Sequence, residues 1–445
     1  MSKDNGNRSD FSQFLDSVCG HVRAKQLHPE IKDELTGHLE ELVEEYIAEG
    51  KTEQEAIDAA ISRMGEPHLI GRELDRTHRP RTDWVMLLLI LLFTGIGLLA
   101  IYNVQTYASG SLGNSQLLER KIVFTVIGIA MMCALWAIDY QRIKKYSEYF
   151  FVAGLLLMAW VSQFAWQVNG QRTWLVVGSF SFYVPTVAIF AMIVGMAGIK
   201  PLKDRNWKES LLLIAYRGIV PIYLLMEMKT ATMAAIYTVI FVVYLCLTSR
   251  FWWQAAAFAA GCVLFAGFMA INSPYGFVTR RALNFLNHWD DPRGSGYVIN
   301  LSLDILRSAG WWGKGGLPKI IVPFPQSEGL LPNFIYAFGW AGGVIVIMLI
   351  VGFIGKIVIT SIHLKDAYGK LLVAVLGSWF IIQFIWTVAM IFGYAPFVGI
   401  SLPFISYGGT EQLIQFAAIG LMLGVYRRRN RIAASRDQSE EILAN

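Results

Sequence analysis

The residues of this chain that could do chemistry concentrate in one polar stretch between two hydrophobic blocks, residues 273–332. Its centre carries the carboxylates Asp290 and Asp291 beside Trp289, and Glu328 follows near its end. A positioned carboxylate can accept the proton of an attacking hydroxyl group. Connectors of this length are uncommon unless they are functional or disordered, and disordered segments contain few aromatic residues. We therefore interpret the stretch as the floor of an active or binding site.

The same stretch supplies positive charge. Arg280 and Arg281 lie near its start, and Lys314 lies in the run Gly310-Trp311-Trp312-Gly313-Lys314-Gly315. Such cations could stabilise a leaving diphosphate, although an Arg pair is equally typical of an interfacial anchor at a helix end. The glycine-rich run is not a nucleotide P-loop, because Gly315 rather than Ser or Thr follows the lysine and no strand precedes it.

Two further polar patches flank hydrophobic runs. The first is residues 169–174, which contains Arg172 and Trp174. The second, residues 399–409, we call the C-terminal loop. It combines the following residues at the mouth of the last hydrophobic run: Pro403, Ser406, Tyr407, Gly408 and Gly409.

Membrane helices must position these patches. The 445-residue chain is 55% hydrophobic and 16% charged, a balance typical of a polytopic membrane protein. From Trp84 onward, apolar runs recur that approach the ~20 residues a membrane helix needs. They predict ten spans, at about residues 84–104, 122–140, 149–167, 186–199, 211–226, 230–248, 252–272, 333–355, 371–394 and 410–426.

Lysine and arginine are distributed unequally between the loops of this scheme. They are concentrated in the alternate loops and the tail that include Arg142, Lys203 and Arg427. The positive-inside rule assigns those loops to the cytosol. Because ten spans place both termini on one side, both termini are predicted to be cytoplasmic. The 273–332 stretch and the other two patches are then external.

Residues 1–82 form a hydrophilic head with 11 Lys and Arg against 17 Asp and Glu, whereas the whole chain has a net charge of +5. The head contains no signal-peptide pattern. Apolar spacing predicts a helix over 31–49, closed by Gly50. Thr52 and Glu55 form a capping box for a second helix that ends near Met64. We expect three parts: an acidic helical head (1–82), a membrane domain (83–431) and a cytosolic tail (432–445).

Cysteine and histidine residues give no sign of a metal centre. The four cysteines are scattered, the seven histidines are dispersed, and none has metal-ligand spacing. Neither disulfides nor zinc chemistry is expected. No cofactor is identified, the need for a divalent metal stays open, and no nucleic-acid partner is expected.

Two of the motifs resemble the SEDS family (shape, elongation, division and sporulation; the FtsW/RodA/SpoVE group). The C-terminal loop resembles that family's C-terminal signature. The run Trp289-Asp290-Asp291-Pro292…Gly294-Ser295-Gly296-Tyr297…Gly313-Lys314-Gly315 resembles its large external loop. The likeness extends over about residues 84–430. The head is similar to the helical prefix domain of some bacterial permeases, which is commonest in Gram-positive bacteria.

The resemblance implies an all-α fold of about ten transmembrane helices, multi-pass in the bacterial plasma membrane, with a small cytosolic helical domain. The implied activity is polymerisation of lipid II, an undecaprenyl-linked peptidoglycan precursor, beside a class B penicillin-binding protein. The substrate-binding residues that we predict are Arg172, Trp174, Arg280, Arg281, Trp289, Gly294, Gly296, Tyr297, Lys314, Pro403, Ser406, Tyr407, Gly408 and Gly409.

The chain departs from the family at ionic positions. The family carries its acid in a Thr-Asp-Phe-Ile-Phe-Ala type sequence where the long loop enters the next helix. Here that run reads Pro332-Asn333-Phe334-Ile335-Tyr336-Ala337, so Asn333 stands in place of the acid. An asparagine amide forms hydrogen bonds but cannot accept a proton near neutral pH.

Three functions remain open on this evidence. The first is a divergent polymerase of cell division, elongation or sporulation, with Asp290, Asp291 or Glu328 replacing the acid at Asn333. The second is a non-catalytic lipid II-binding or scaffolding partner of a class B penicillin-binding protein. The third is a transporter of lipid-linked precursor. It ranks last because transport usually leaves ionisable groups in the membrane, and apart from Arg217 the spans contain few.

Overall fold

The computed structural model describes residues 4–22, 28–78, 82–108, 115–168, 170–178, 180–199, 201–272 and 296–429. These residues are almost entirely helical, with a single two-stranded sheet, which confirms the predicted all-α class. They fall into two compact units that divide between Thr82 and Asp83. We describe the head and the membrane body, residues 83–426, separately.

Four helices make up the described part of the head. Its core consists of apolar residues such as Val18, Leu39 and Ala60, which are fully buried. The capping box is present, because the Glu55 carboxylate accepts hydrogen bonds from the Thr52 backbone nitrogen (3.0 Å) and hydroxyl (2.6 Å). The helices are α1 (Asp4–Gly20), α2 (His28–Ala48), α3 (Glu53–Met64) and α4 (Pro67–His78).

We expect Thr52→Ala to lower the thermal midpoint of the head, expressed as residues 1–82, by about 4–8 °C at pH 7. The hydrogen bonds from Thr52 lower the pKa of Glu55. The stabilisation they provide is therefore present above the ordinary pKa of Glu and lost as pH falls through the lowered value. Circular dichroism at pH 7 and pH 3 measures both effects.

The matched control is Thr36→Ala, which removes a hydroxyl that donates to the Lys32 carbonyl (2.6 Å) within α2. Its thermal midpoint should stay close to that of the unaltered head. A pH-independent loss for Thr52→Ala would contradict the role of the Glu55 carboxylate.

The membrane body contains thirteen helices and one hairpin among its described residues. The strands β1 (Trp174–Val177) and β2 (Phe180–Tyr183) pair antiparallel. The helices are α5 (Trp84–Tyr107), α6 (Leu117–Ala137), α7 (Tyr140–Lys145), α8 (Ser147–Phe164), α9 (Val184–Ala197), α10 (Trp207–Ile214), α11 (Val220–Glu227), α12 (Ala231–Thr248), α13 (Trp252–Asn272), α14 (Tyr297–Ser308), α15 (Leu330–His363), α16 (Ala367–Ile391) and α17 (Gly409–Arg427).

Each of the ten predicted spans contains a helix. Seven helices of the described chain are long and apolar enough to cross a membrane, and Val184–Ala197 and Trp252–Phe268 are shorter apolar helices. One of the seven, Trp207–Glu227, joins α10 to α11 through a π-helical turn at Ala215–Ile219. The body is therefore a multi-pass membrane fold.

The charged residue of that π-helical turn is neutralised inside the body. Arg217 is 3% exposed and forms an ion pair with Glu148 at the start of α8. Its guanidinium lies 4.4 Å from the centre of the Phe151 ring, and its carbonyl accepts a hydrogen bond from the Tyr237 hydroxyl (2.6 Å). Because the Arg217 side chain is buried while that of Glu148 is exposed, loss of Glu148 would leave a buried charge without its partner. The pair ties the π-helical turn to α8.

Aromatic rings fill the centre of the body. Phe353 of α15 packs against Phe93 of α5 and Phe384 of α16, with ring centroids 5.8 and 5.6 Å apart. Phe404, from the C-terminal loop, stacks on Phe380 at 5.6 Å and meets Phe416 edge-on at 5.5 Å. The loop is thus anchored in the core of the helical bundle.

The polar stretch 273–332 contains more regular structure than a connector. Its described part holds α14, and α15 already begins at Leu330 rather than at residue 333. Residues 273–295 lie outside the described residues. The N-terminal turns of α15 therefore belong to the same polar region as Glu328.

Candidate active site

The C-terminal loop is buried in the membrane body and contacts the polar stretch. Phe404 and Ser406 are 1% and 6% exposed. The Tyr407 backbone nitrogen donates to the Gln326 carbonyl (2.8 Å), and the Ser406 hydroxyl donates to the Ser327 carbonyl (3.0 Å). Two of the three predicted patches therefore adjoin.

Two carboxylates flank this loop. The Ser401 hydroxyl donates to Glu411, in the first turn of α17, at 2.6 Å, and the Ser327 hydroxyl donates to Glu328. A Cβ atom built on Gly399 would lie 3.3 Å from a Glu328 oxygen. Among the described residues, no group of three or more His, Cys, Asp or Glu side chains could hold a metal ion. The site thus pairs two carboxyl groups with two serine hydroxyls.

The β1–β2 hairpin brings the third patch to the same place. Trp174 pairs with Tyr183 in the register of the sheet, and their ring centroids are 5.1 Å apart. The Tyr183 backbone nitrogen donates to the Thr410 hydroxyl (3.1 Å). Burial raises the pKa of the Tyr183 hydroxyl, and the negative charges of Glu411 and Glu328 raise it further. Aromatic surface and both carboxylates therefore converge.

The two glycines after Tyr407 have different surroundings. A Cβ atom on Gly408 would lie 3.3 Å from a Glu411 carboxylate oxygen. A Cβ atom on Gly409 would lie 2.6 Å from the Phe124 ring of α6. Gly408 therefore borders the carboxylate, whereas Gly409 allows the close packing of α17 on α6.

Arg172 is engaged by a helix end. Its guanidinium donates to the carbonyls of Ser162 (3.2 Å) and Gln163 (2.9 Å), in the last turn of α8. These carbonyls have no partner within the helix, and basic side chains commonly cap them. The structure thus shows that Arg172 caps α8. The diphosphate contact expected from the sequence stays a prediction.

The loop that carries Lys314 is interlocked with a break in α15. Lys314 is exposed, and its backbone nitrogen donates to the Tyr336 carbonyl (2.9 Å). Gly339 has φ 77° and ψ 176° inside α15, a conformation essentially restricted to glycine. A Cβ atom on Gly339 would lie 2.1 Å from the Trp311 carbonyl oxygen, and one on Gly313 would lie 2.3 Å from that of Ala337.

The remaining predicted site residues divide into those that the structure describes and those that lie outside the described residues. Gly296 caps the N-terminus of α14, and Tyr297 begins that helix. Pro403 is buried in the C-terminal loop. The residues that lie outside the described part of the chain are Arg280, Arg281, Trp289, Asp290, Asp291 and Gly294.

Comparison with known proteins gives the family. The profile of the FtsW/RodA/SpoVE family, described as cell cycle proteins, matches residues 83–431. The chain belongs to this family. Stage V sporulation protein E of Bacillus subtilis is 26% identical over 371 residues, which cover 79% of this chain and 98% of the relative. Peptidoglycan glycosyltransferase RodA of Treponema pallidum is 25% identical over 433 residues, which cover 78% of this chain and 98% of the relative.

Solved structures support the family fold. A chain from a structure described as structural coordination of polymerization and crosslinking by a peptidoglycan synthase complex matches with a TM-score of 0.67 and 20% identity. The match covers 78% of this chain and 98% of that one. RodA of Thermus thermophilus matches with a TM-score of 0.58 and 19% identity, covering 78% and 97% of the two chains.

Asn333 occupies an enclosed position within this family fold. It is 1% exposed, and its amide nitrogen donates to the Gly329 carbonyl (2.9 Å) in the first turn of α15. Its amide oxygen has no hydrogen-bond partner among the residues that the structure describes. The side chain is therefore held by the helix it belongs to, and it carries no proton acceptor of carboxylate type.

Two residues of this site, Glu411 and Tyr183, lie outside the patches predicted from the sequence, and Ser401 lies in one of those patches without having been named as a site residue. Glu411 could have been found, because an acidic residue in a predicted membrane span is by default a candidate functional residue. Ser401 and Tyr183 are ordinary loop residues in the sequence. Only the fold brings them to the carboxylates.

We expect Gly339→Ala to lower the thermal midpoint of the purified protein in detergent. The backbone conformation alone costs about 1–3 kcal/mol for a residue with a side chain, and the Cβ atom would collide with the Trp311 carbonyl. Gly355→Ala, on the same helix with open space around it, is the matched control and should leave the midpoint unchanged or raised. Equal midpoints for the two variants would contradict the interlock.

Proposed function

We propose that this chain is a peptidoglycan glycosyltransferase that polymerises lipid II into glycan strands. The proposal is supported by its family and by relatives named peptidoglycan glycosyltransferase RodA and probable peptidoglycan glycosyltransferase FtsW. The observation that carries it is the convergence of the C-terminal loop, the β1–β2 hairpin and the end of the polar stretch around Glu328 and Glu411.

Each part of this site fits one requirement of the reaction. The attacking sugar hydroxyl needs a proton acceptor, and in our proposal Glu328 supplies it, because Asn333 cannot. The leaving diphosphate needs positive charge, for which the exposed Lys314 is available. Sugar rings need an amphipathic aromatic surface, which Trp174 and Tyr183 provide.

A class B penicillin-binding protein is the partner that we propose. The support is the similarity to a chain of a peptidoglycan synthase complex that coordinates polymerization and crosslinking. A polymerase and a crosslinking enzyme act on the same product, so their association in one membrane would pass glycan directly from one to the other.

A non-catalytic role is the second candidate, and Asn333 is the observation that favours it. The buried amide at this position donates to a backbone carbonyl and cannot take part in proton transfer. In this alternative the chain binds lipid II and supports a class B penicillin-binding protein without making glycan itself.

Purified protein with fluorescent lipid II, with and without a class B penicillin-binding protein, tests the two candidates. We expect the unaltered protein to make glycan chains, and Glu328→Gln to lower the rate by about 10²–10⁴-fold, the usual contribution of a general base. Glu411→Gln should also lower it, because Glu411 borders the same site. Product length on gels and initial rates are the readouts.

Glu119→Gln is the matched control, since Glu119 is an exposed carboxylate in the first turn of α6. Its rate should equal that of the unaltered protein. Lipid II binding without glycan synthesis, under all conditions, would favour the scaffolding role. Synthesis that is insensitive to both site variants would show that the proton acceptor lies elsewhere.

We also propose that the site faces the outside of the bacterial plasma membrane and that both termini are cytoplasmic. The support is the uneven distribution of Lys and Arg between loops. In a cysteine-free background, Lys319→Cys should react with an impermeant thiol reagent in intact protoplasts, whereas Lys208→Cys should react only after lysis. Both positions are exposed, so the reverse labelling pattern would reject this orientation.

A further inference from the structure

Lys121 lies in the first turn of α6 and is fully enclosed, with an exposed fraction of 0%. Its ammonium nitrogen lies 3.2, 2.9 and 2.8 Å from the carbonyl oxygens of Phe404, Ile405 and Ser406. An ammonium group has three donors and no acceptor, so these three carbonyls satisfy it completely. Within the described residues, no carboxylate forms a salt bridge with Lys121. Backbone dipoles therefore take the place of a counter-ion.

The three carbonyls can converge because the backbone turns sharply at Phe404. Its φ is 64°, in the left-handed region that residues with side chains rarely adopt. The Ile405 nitrogen donates to the Pro403 carbonyl (2.8 Å), and the Ser406 nitrogen donates to the Leu402 carbonyl (3.0 Å). A turn of this kind points consecutive carbonyls to one side, where they repel one another unless a cation lies between them.

Helix α5 packs against two of the same carbonyls. A Cβ atom on Gly97 would lie 2.7 Å from the Ile405 carbonyl oxygen and 2.8 Å from that of Phe404. The bare backbone of Gly97 thus packs directly on the turn and leaves no space there for a donor side chain. Lys121 is the group that satisfies these carbonyls together.

The turn determines where the two carboxylates of the site lie. On one side of it, Ser401 donates to Glu411. On the other side, Ser406 donates to the Ser327 carbonyl (3.0 Å), next to Glu328. We infer that Lys121 is a positioning residue whose positive charge holds the 404–406 turn and thereby sets Glu411 against Glu328.

The consequence for catalysis rests on the proposed function, whereas the structural part does not. If Glu328 is the proton acceptor, loss of the Lys121 charge misplaces it without removing the aromatic hairpin or Lys314. Turnover should then fall while the apparent KM for lipid II stays within about twofold, since proton transfer and not sugar binding is impaired.

Hydrogen–deuterium exchange of the full-length protein in detergent tests the structural part. Lys121→Met keeps most of the side-chain volume but removes charge and donors. We expect the backbone amides within residues 402–407, apart from Pro403, which has none, to exchange at least ~10-fold faster in this variant, because charge-assisted hydrogen bonds are the strong ones. Lys121→Arg keeps the charge and should restore much of the protection and of the turnover.

Thr125→Val is the matched control. Thr125 is a buried polar residue one turn further along α6. Its hydroxyl donates to the Lys121 backbone carbonyl (2.7 Å) and accepts a hydrogen bond from the Gln412 side chain (2.6 Å), and neither partner belongs to the turn. Exchange at 402–407 should be unchanged in this variant. Unchanged exchange in Lys121→Met would overturn the inference, as would a raised KM with unaltered turnover.

If Lys121→Met does not fold, Lys121→Gln tests whether the positive charge of Lys121 holds the turn. Glutamine donates two hydrogen bonds without charge, so faster exchange at 402–407 with unchanged exchange in α12 supports the inference. Exchange equal to that of the unaltered protein would overturn the need for positive charge. If the unaltered protein makes no glycan, the proposed function fails, and the exchange experiment still tests the position of the turn.

Discussion

A loop that is buried inside a membrane protein has to satisfy its backbone carbonyls without water. In this chain three such carbonyls, from Phe404 to Ser406, point into the bundle together. The ammonium group of Lys121 satisfies them from α6, and the Phe404 ring fixes the loop in the aromatic core. The surrounding helices could not approach this closely if the carbonyls were left unpaired.

The arrangement of the site follows from that constraint. Because the loop is fixed, its serine hydroxyls reach in two directions, to Glu411 on α17 and to the backbone beside Glu328. The acidic groups therefore come from the elements on either side of the loop and not from the first turn of α15, where Asn333 is held by its own helix. The chain keeps the family fold, with these two carboxylates beside the C-terminal loop.

Hydropathy and capping patterns predicted where the helices of the body lie along the chain and the two central helices of the head, since both depend on local composition. They did not reveal the break at Gly339, because a glycine within an apolar run leaves the hydropathy unchanged. Arg172 shows a second limit. The sequence shows that an arginine is present but not whether its guanidinium caps a helix or binds a diphosphate. In this chain the positions of the Ser162 and Gln163 carbonyls reveal the capping contact.

The break in α15 also bears on how this helix fits a bilayer. Its 34 residues would extend about 50 Å if straight, whereas the hydrocarbon core is about 30 Å thick. The change of direction at Gly339 releases the first turns from that mismatch. The stretch from Trp340 to His363, about 36 Å long, can then cross with a modest tilt. The turns that carry Asn333, which are buried within the protein, then do not add to the length of helix that has to match the bilayer.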